Sequence, residues 1–147
     1  MIVMKFGGSS LESPDAIRRV CGIVASRKEE HPVLVVSAHG STTNRLLHAA
    51  QLARSGKRAE MEAAVDELRA FHRGLADGVL SGERRERALA EVEEHIAELL
   101  EVLRGVSVLG ELTTRTADTV ASYGERISSR MMALAMEETG VPARAVD

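Results

Sequence analysis

Ile2-Val3-Met4-Lys5-Phe6-Gly7-Gly8-Ser9-Ser10, set against Val33-Leu34-Val35-Val36-Ser37, decides the fold. Each is a short apolar run, partly β-branched, that stops at small or polar residues, as a buried strand does. Strands are expected near residues 2 to 5 and 33 to 37. Between them Ser13-Pro14 offers an N-cap with proline at the first helical position. Ile17, Val20, Cys21 and Val24 then make an apolar stripe at helical spacing as far as about Lys28, and Pro32 ends that segment. After a loop from Ser37 to Thr42, a second helix is expected from about Thr43 to Ser55. Strand, helix, strand, helix with a long crossover predicts an α/β fold: parallel neighbours in one sheet, covered on both faces.

The middle of the chain changes period. Apolar residues fall at Met61, Val65, Leu68, Phe71 and Leu75, then at Leu89, Val92, Ile96, Leu99 and Leu103, three or four apart throughout. Asp77-Gly78 and Ser81-Gly82 interrupt the pattern between the two sets. The spacing predicts an αα-hairpin over about 57–104, apolar on one face and charged on the other, projecting from the sheet. Its apolar face reads as packing or as a homo-oligomer surface rather than as catalytic machinery. Val106–Leu109 reads as a short apolar link. Thr113 to about Thr139 reads as a further helix, with a possible interruption at Gly124. Gly140 and Pro142 stop it, and Ala143 to Asp147 resembles the start of a third strand.

Composition narrows the function. A chain of 147 residues, 44% hydrophobic and 28% charged, suits one globular domain with a core. Its net charge of -3, absence of Trp, single Tyr and two Phe argue against a stacking, basic surface for nucleic acid. Cys21 is the only cysteine, so no CxxC redox or zinc site exists, and a reducing compartment fits best. The five histidines show no HxxxH or HExxH spacing, so no protein-built metal site is expected. A lysine follows the first four apolar residues, too soon for a signal-peptide core, and no apolar run nears the ~20 residues that span a bilayer. The expected location is cytoplasmic, with no membrane partner.

Three short segments can carry chemistry. Lys5-Phe6-Gly7-Gly8-Ser9-Ser10 places a lysine at a strand end, then glycines whose N–H groups can approach an anion, as a phosphate site needs. It lacks the GxxxxGK[ST] spacing of a Walker loop; an ordinary turn is the plainer reading. Ser37-Ala38-His39-Gly40-Ser41-Thr42-Thr43-Asn44 crowds small and hydroxyl residues before a helix N-terminus, where free N–H groups favour carboxylate or phosphate. A Thr N-cap in a polar loop explains it equally well. In Ser122-Tyr123-Gly124-Glu125-Arg126-Ile127-Ser128-Ser129, a helix would put Glu125, Ser128 and Ser129 on one face. That carboxylate could receive an ammonium group, or simply face solvent.

Together and in this order, the segments resemble one family. KFGGSS at residues 5 to 10 resembles the aspartokinase KFGGTS opening. VVSAHGSTTNRLL at 35 to 47 resembles its VVSAMGxTTDxLL segment, and ELTTRTADTVASYGERISSRMMA at 111 to 133 resembles the stretch ending in GExxS. The match spans almost the whole chain, and the hairpin sits where many aspartokinases carry extra helices. Ser9 stands for threonine, His39 for a common methionine and Asn44 for aspartate.

The resemblance implies the amino-terminal, amino-acid-binding lobe of a kinase domain over 1–147, a parallel-sheet sandwich of the amino-acid kinase type with the hairpin inserted. The parent enzyme would transfer the γ-phosphoryl group of ATP, carried with Mg²⁺, to the β-carboxylate of L-aspartate. Lys5 would be the catalytic and phosphate-contacting residue, with Gly7, Gly8 and Ser9 completing the phosphate loop. Ser37 and Thr43 would hold aspartate, and Glu125 its α-ammonium. The nucleotide-binding half and ACT regulatory domains that the family carries have no counterpart here, so the chain alone is expected to be inactive. The alternatives are a non-catalytic assembly module descended from an aspartokinase, and another acyl-phosphate-forming amino-acid kinase.

Overall fold

The computed structural model describes residues 1–146. β1 (Ile2–Phe6) and β2 (Pro32–Val36) pair in parallel, with Ile2 opposite Pro32 and Phe6 opposite Val36. The crossover between them is α1 (Pro14–Ala25), which starts as expected: Ser13 caps it by accepting from the Ala16 N–H at 3.2 Å, and Pro14 is its first residue. α2 (Thr42–Arg54) follows the second strand.

The hairpin consists of α3 (Arg58–Val79) and α4 (Gly82–Leu109), longer than its apolar stripes suggested. The supposed link Val106–Leu109 is its last helical turn, closed by Gly110 at φ 67°. Asp77-Gly78 does not break α3. Gly78 instead lets the helix end press on Pro14, which a Cβ would strike, and its carbonyl accepts from Arg18. Nor does the hairpin project. α3 packs on α2 and α1, while α4 packs on α3, α2 and α5 (Thr114–Glu138). Met61, Val65, Leu68, Leu75, Val92, Ile96, Leu99 and Leu103 belong to one continuous core with Ile17, Leu46 and Met136. These residues of its apolar face are used in packing within the chain.

The sheet departs from expectation on its second face. Met4, Phe6, Leu34 and Val36 pack against the helical core, whereas Val3, Val33 and Val35 on the alternate positions are 64%, 46% and 45% exposed. Side chains alternate across a strand, so the helices cover one face and leave the other bare. The expected third strand is not formed. Residues 143–146 are irregular, and Asp147 lies outside the described residues. Val141 to Val146 instead line a groove of about 780 Å³ with Val36, Met132 and Met136. α5 runs through Gly124 without interruption.

Candidate functional site

Three segments meet beyond the carboxyl ends of the two strands. The first is the turn after β1, where Gly7 precedes a single 3₁₀ turn, Gly8–Leu11. Lys5 is exposed and shares the uncovered face with Val3. Ser9 is exposed in the turn itself. The second segment is the loop after β2. Ser37 continues the strand pairing by donating its N–H to the Phe6 carbonyl at 3.1 Å, and the Gly40 N–H donates to the Gly8 carbonyl at 2.9 Å. A Cβ on Gly8 would lie 2.7 Å from the Gly40 carbonyl and 2.9 Å from that of Ala38. Glycine is therefore needed at position 8 so that two backbones can touch, a reason additional to any contact with phosphate.

The third segment is the middle of α5. Ser128 is fully buried and donates its hydroxyl to the Ser37 carbonyl at 2.7 Å. One turn earlier, a Cβ on Gly124 would fall 2.7 Å from Ala38 Cβ. A glycine and a serine four residues apart on one helical face thus bring α5 onto the loop. Glu125, next to Gly124, is exposed there. Thr43 is half-buried in the first turn of α2, while Thr42 is buried, its hydroxyl donating to the His39 carbonyl at 2.6 Å. The helix begins after Ser41, whose side chain makes no cap bond, so the expected Thr cap is replaced by this back-bond from Thr42.

The structure therefore brings the segments carrying Lys5, Gly7, Gly8, Ser9, Ser37, Thr43 and Glu125 to one end of the sheet, where parallel α/β folds bind ligands. None of these seven residues lines the groove beside residues 141–146. Gly40 takes φ +54°, a left-handed conformation natural for glycine, and a Cβ added there would lie 3.3 Å from Glu12 Cβ. Among the described residues no group of three His, Cys, Asp or Glu side chains is placed to hold a metal ion.

Sequence reasoning missed two things here. Ser128 was grouped with Glu125 by helical spacing, but its work is to hold Ser37. His39, which stands for a common methionine in the resemblance, is fully buried, with Nδ1 2.9 Å from the Leu11 carbonyl. Burial first, and then the neighbouring His72, lower its pKa to about 4. The signal available beforehand was the small-residue spacing Gly124 to Ser128; nothing local marked His39 as buried.

With this geometry the class is an α/β fold with a parallel strand pair, its candidate site at the carboxyl ends of the strands. The model of the amino acid kinase family matches residues 1–147, and the chain belongs to that family. Its relatives there are aspartokinases. It is 36% identical over 145 residues to Aspartokinase 2, chloroplastic, of Arabidopsis thaliana, covering 99% of this chain and 26% of that protein. It is 32% identical to the bifunctional aspartokinase/homoserine dehydrogenase 2 of Escherichia coli K12, covering 97% of this chain and 17% of that one. Two structures of E. coli aspartokinase III share the fold at 23% identity. One is in complex with aspartate and ADP (R-state), with a TM-score of 0.79 over 95% of this chain and 29% of that chain. The other is in complex with lysine and aspartate (T-state), with a TM-score of 0.81 over 96% and 30%. The chain thus spans about a quarter of the length of the monofunctional aspartokinases it matches.

Proposed function

We propose that this chain is the aspartate-binding lobe of an aspartokinase. The observation that carries the reading is the meeting of the turn 7–11, the loop 37–42 and the α5 turn 124–128 at one end of two parallel strands. In the proposed reaction a β-carboxylate oxygen of L-aspartate forms a bond to the γ-phosphorus of ATP. The bond from that phosphorus to the bridging oxygen breaks, and ADP leaves with the electron pair. The product is the acyl phosphate 4-phospho-L-aspartate, and no proton need move.

Such a transfer needs alignment and charge neutralisation more than a covalent protein intermediate. Lys5 supplies a positive charge for the transferred group, and the Gly7, Gly8 and Ser9 turn supplies backbone N–H groups beside it. Ser37 and Thr43 hold the aspartate, and Glu125, exposed on α5 beside Gly124, pairs with its α-ammonium. ATP enters with Mg²⁺ on its phosphates. Most contacts to the nucleotide fall to the portion of the relatives' length beyond this match. The uncovered valine face, which includes Lys5, is where that portion packs. The buried single thiol, Cys21, whose pKa burial raises to about 11, suits a reducing compartment. No helix among the described residues is long and apolar enough to cross a membrane.

The test is a hydroxamate assay for aspartyl phosphate. The 147-residue chain alone is expected to give none. A chimera in which it replaces the matching residues of the Arabidopsis Aspartokinase 2 is expected to turn over. Lys5→Ala or Glu125→Ala in that chimera should lower the rate by on the order of a hundredfold or more, as loss of a charge-stabilising group does. A double variant that keeps the chimera's rate overturns the assignment.

A further inference from the structure

Two buried histidines stand at the joint between the candidate site and the hairpin. His39, in the loop after β2, and His72, on α3, are both fully buried, their ring centroids 5.7 Å apart and their planes at 61°. Each ring's Nδ1 faces a backbone carbonyl: Leu11 for His39 at 2.9 Å, and Leu68 for His72 at 2.8 Å. A carbonyl only accepts, so in each neutral ring Nδ1 carries the proton and Nε2 is a bare lone pair. Both Nε2 atoms are buried without a hydrogen-bond partner. A methionine or leucine would fill the same space without burying a lone pair. What an apolar side chain could not supply at position 39 is the donor to Leu11.

That donor joins two parts of the site. Leu11 closes the 3₁₀ turn after Gly7-Gly8, and the His39 carbonyl accepts both the N–H and the hydroxyl of Thr42 at the start of α2. Beside it lies the contact from Gly40 to Gly8. Behind the ring stand His72 and then Phe71, whose ring centroid is 5.1 Å from that of His72 and which lies under Arg45 of α2.

Resting on the aspartate reading above, we propose that His39 is a positioning residue: its Nδ1–H bond to the Leu11 carbonyl sets the spacing between the loop 37–41 and the turn 8–11, and His72 of α3 holds the ring in that orientation. The inserted hairpin thereby bears on the geometry of the site without touching substrate. The residues that would bind phosphate and those that would bind aspartate lie on opposite sides of this bond, so its length enters the distance between the two ligands.

The test uses the intact 147-residue chain and two readouts that a merely space-filling role would not move. Long-range ¹H–¹⁵N spectra of the imidazoles at pH 7 are expected to show His39 protonated on Nδ1; protonation on Nε2 overturns the proposal. Amide exchange supplies the second readout. In His39→Met the Gly40 and Thr42 amides should exchange about tenfold faster, the consequence of one lost hydrogen bond, while Ile96 and Leu99 in α4 keep their protection. His39→Asn, which restores a side-chain N–H near the old Nδ1, should recover most of the slow exchange, and His72→Leu should show a smaller increase at the same amides. Unchanged exchange in His39→Met, or an equal rise throughout α4, overturns the proposal. If the wild-type chain shows no response to L-aspartate, the aspartate reading fails by itself. The exchange data still decide whether His39 couples the two loops.

Discussion

The two faces of the β1–β2 sheet have opposite fates. On one, Met4, Phe6, Leu34 and Val36 join a core to which all five helices contribute. On the other, Val3, Val33 and Val35 stand in solvent beside Lys5. The helical side is finished: the hairpin's apolar stripes are consumed by α1, α2 and α5. The sheet side is not, and the candidate site sits at the border between them. The difference teaches that the core is built on one face of the sheet alone. The helices hold the chain together, while Val3, Val33 and Val35 add little to that core.

That contrast can be broken by substitution. Leu68→Ala or Leu99→Ala, at fully buried positions of the hairpin, should cost about 2–5 kcal/mol of unfolding free energy in urea titrations. Val35→Ser on the bare face should change it by no more than about 0.5 kcal/mol. Equal losses would mean that the hairpin is peripheral, or that the valine face is covered in solution.

Acid sharpens the same contrast. Burial lowers both His39 and His72 to about 4 from the ordinary 6.5; the other ring adds to the effect on His39. For His72 the Leu68 carbonyl opposes the shift and Arg45 adds to it. Between these values the unfolded chain binds protons that the folded chain does not. Stability is therefore full above about pH 6.5 and is lost as pH falls toward 4. The pair together should cost about 2 kcal/mol between pH 6 and pH 5. The double variant His39→Met, His72→Leu should flatten that slope in chemical denaturation run at each pH; an unchanged slope would place the titration elsewhere.

Smaller in effect, Gly124→Ala forces a methyl against Ala38 and should destabilise by about 1–3 kcal/mol, as overpacking does. Gly22→Ala on α1, where an added Cβ meets nothing within 4 Å, should instead be neutral or stabilise by up to about 1 kcal/mol. Thermal melts of the two variants separate a glycine kept for contact from one that is not.

The elements were legible because each carries its own period. The two strands, α1, the hairpin and the helix from 113 were all marked by local apolar spacing or by caps. What was not legible depends on residues far apart in the chain. Gly78 looked like a helix breaker, but its partner is Pro14. Gly124 looked like an interruption, but its partner is Ala38. In the α3 stripe Phe71 was taken for the buried position, whereas His72 is the residue at zero exposure and Phe71 is only half-buried. With His72 the stripe runs 61, 65, 68, 72, 75, a steadier alternation of four and three that hydrophobicity alone hides. The uncovered sheet face was unreadable for a similar reason: a valine in a strand has the same pattern whether or not something lies over it.

The site's segments were legible through glycine, lysine and hydroxyl clusters, and the structure brings them together. The claim that this assembled end takes L-aspartate is tested most directly by titrating the ¹⁵N-labelled chain with the amino acid. The account predicts saturable shifts of the amides of Ser37, Thr43 and Glu125, and their loss in Glu125→Ala with the rest of the spectrum intact. Shifts confined to the groove lined by Val36, Met132 and Val141, or an unchanged response in Glu125→Ala, would contradict it.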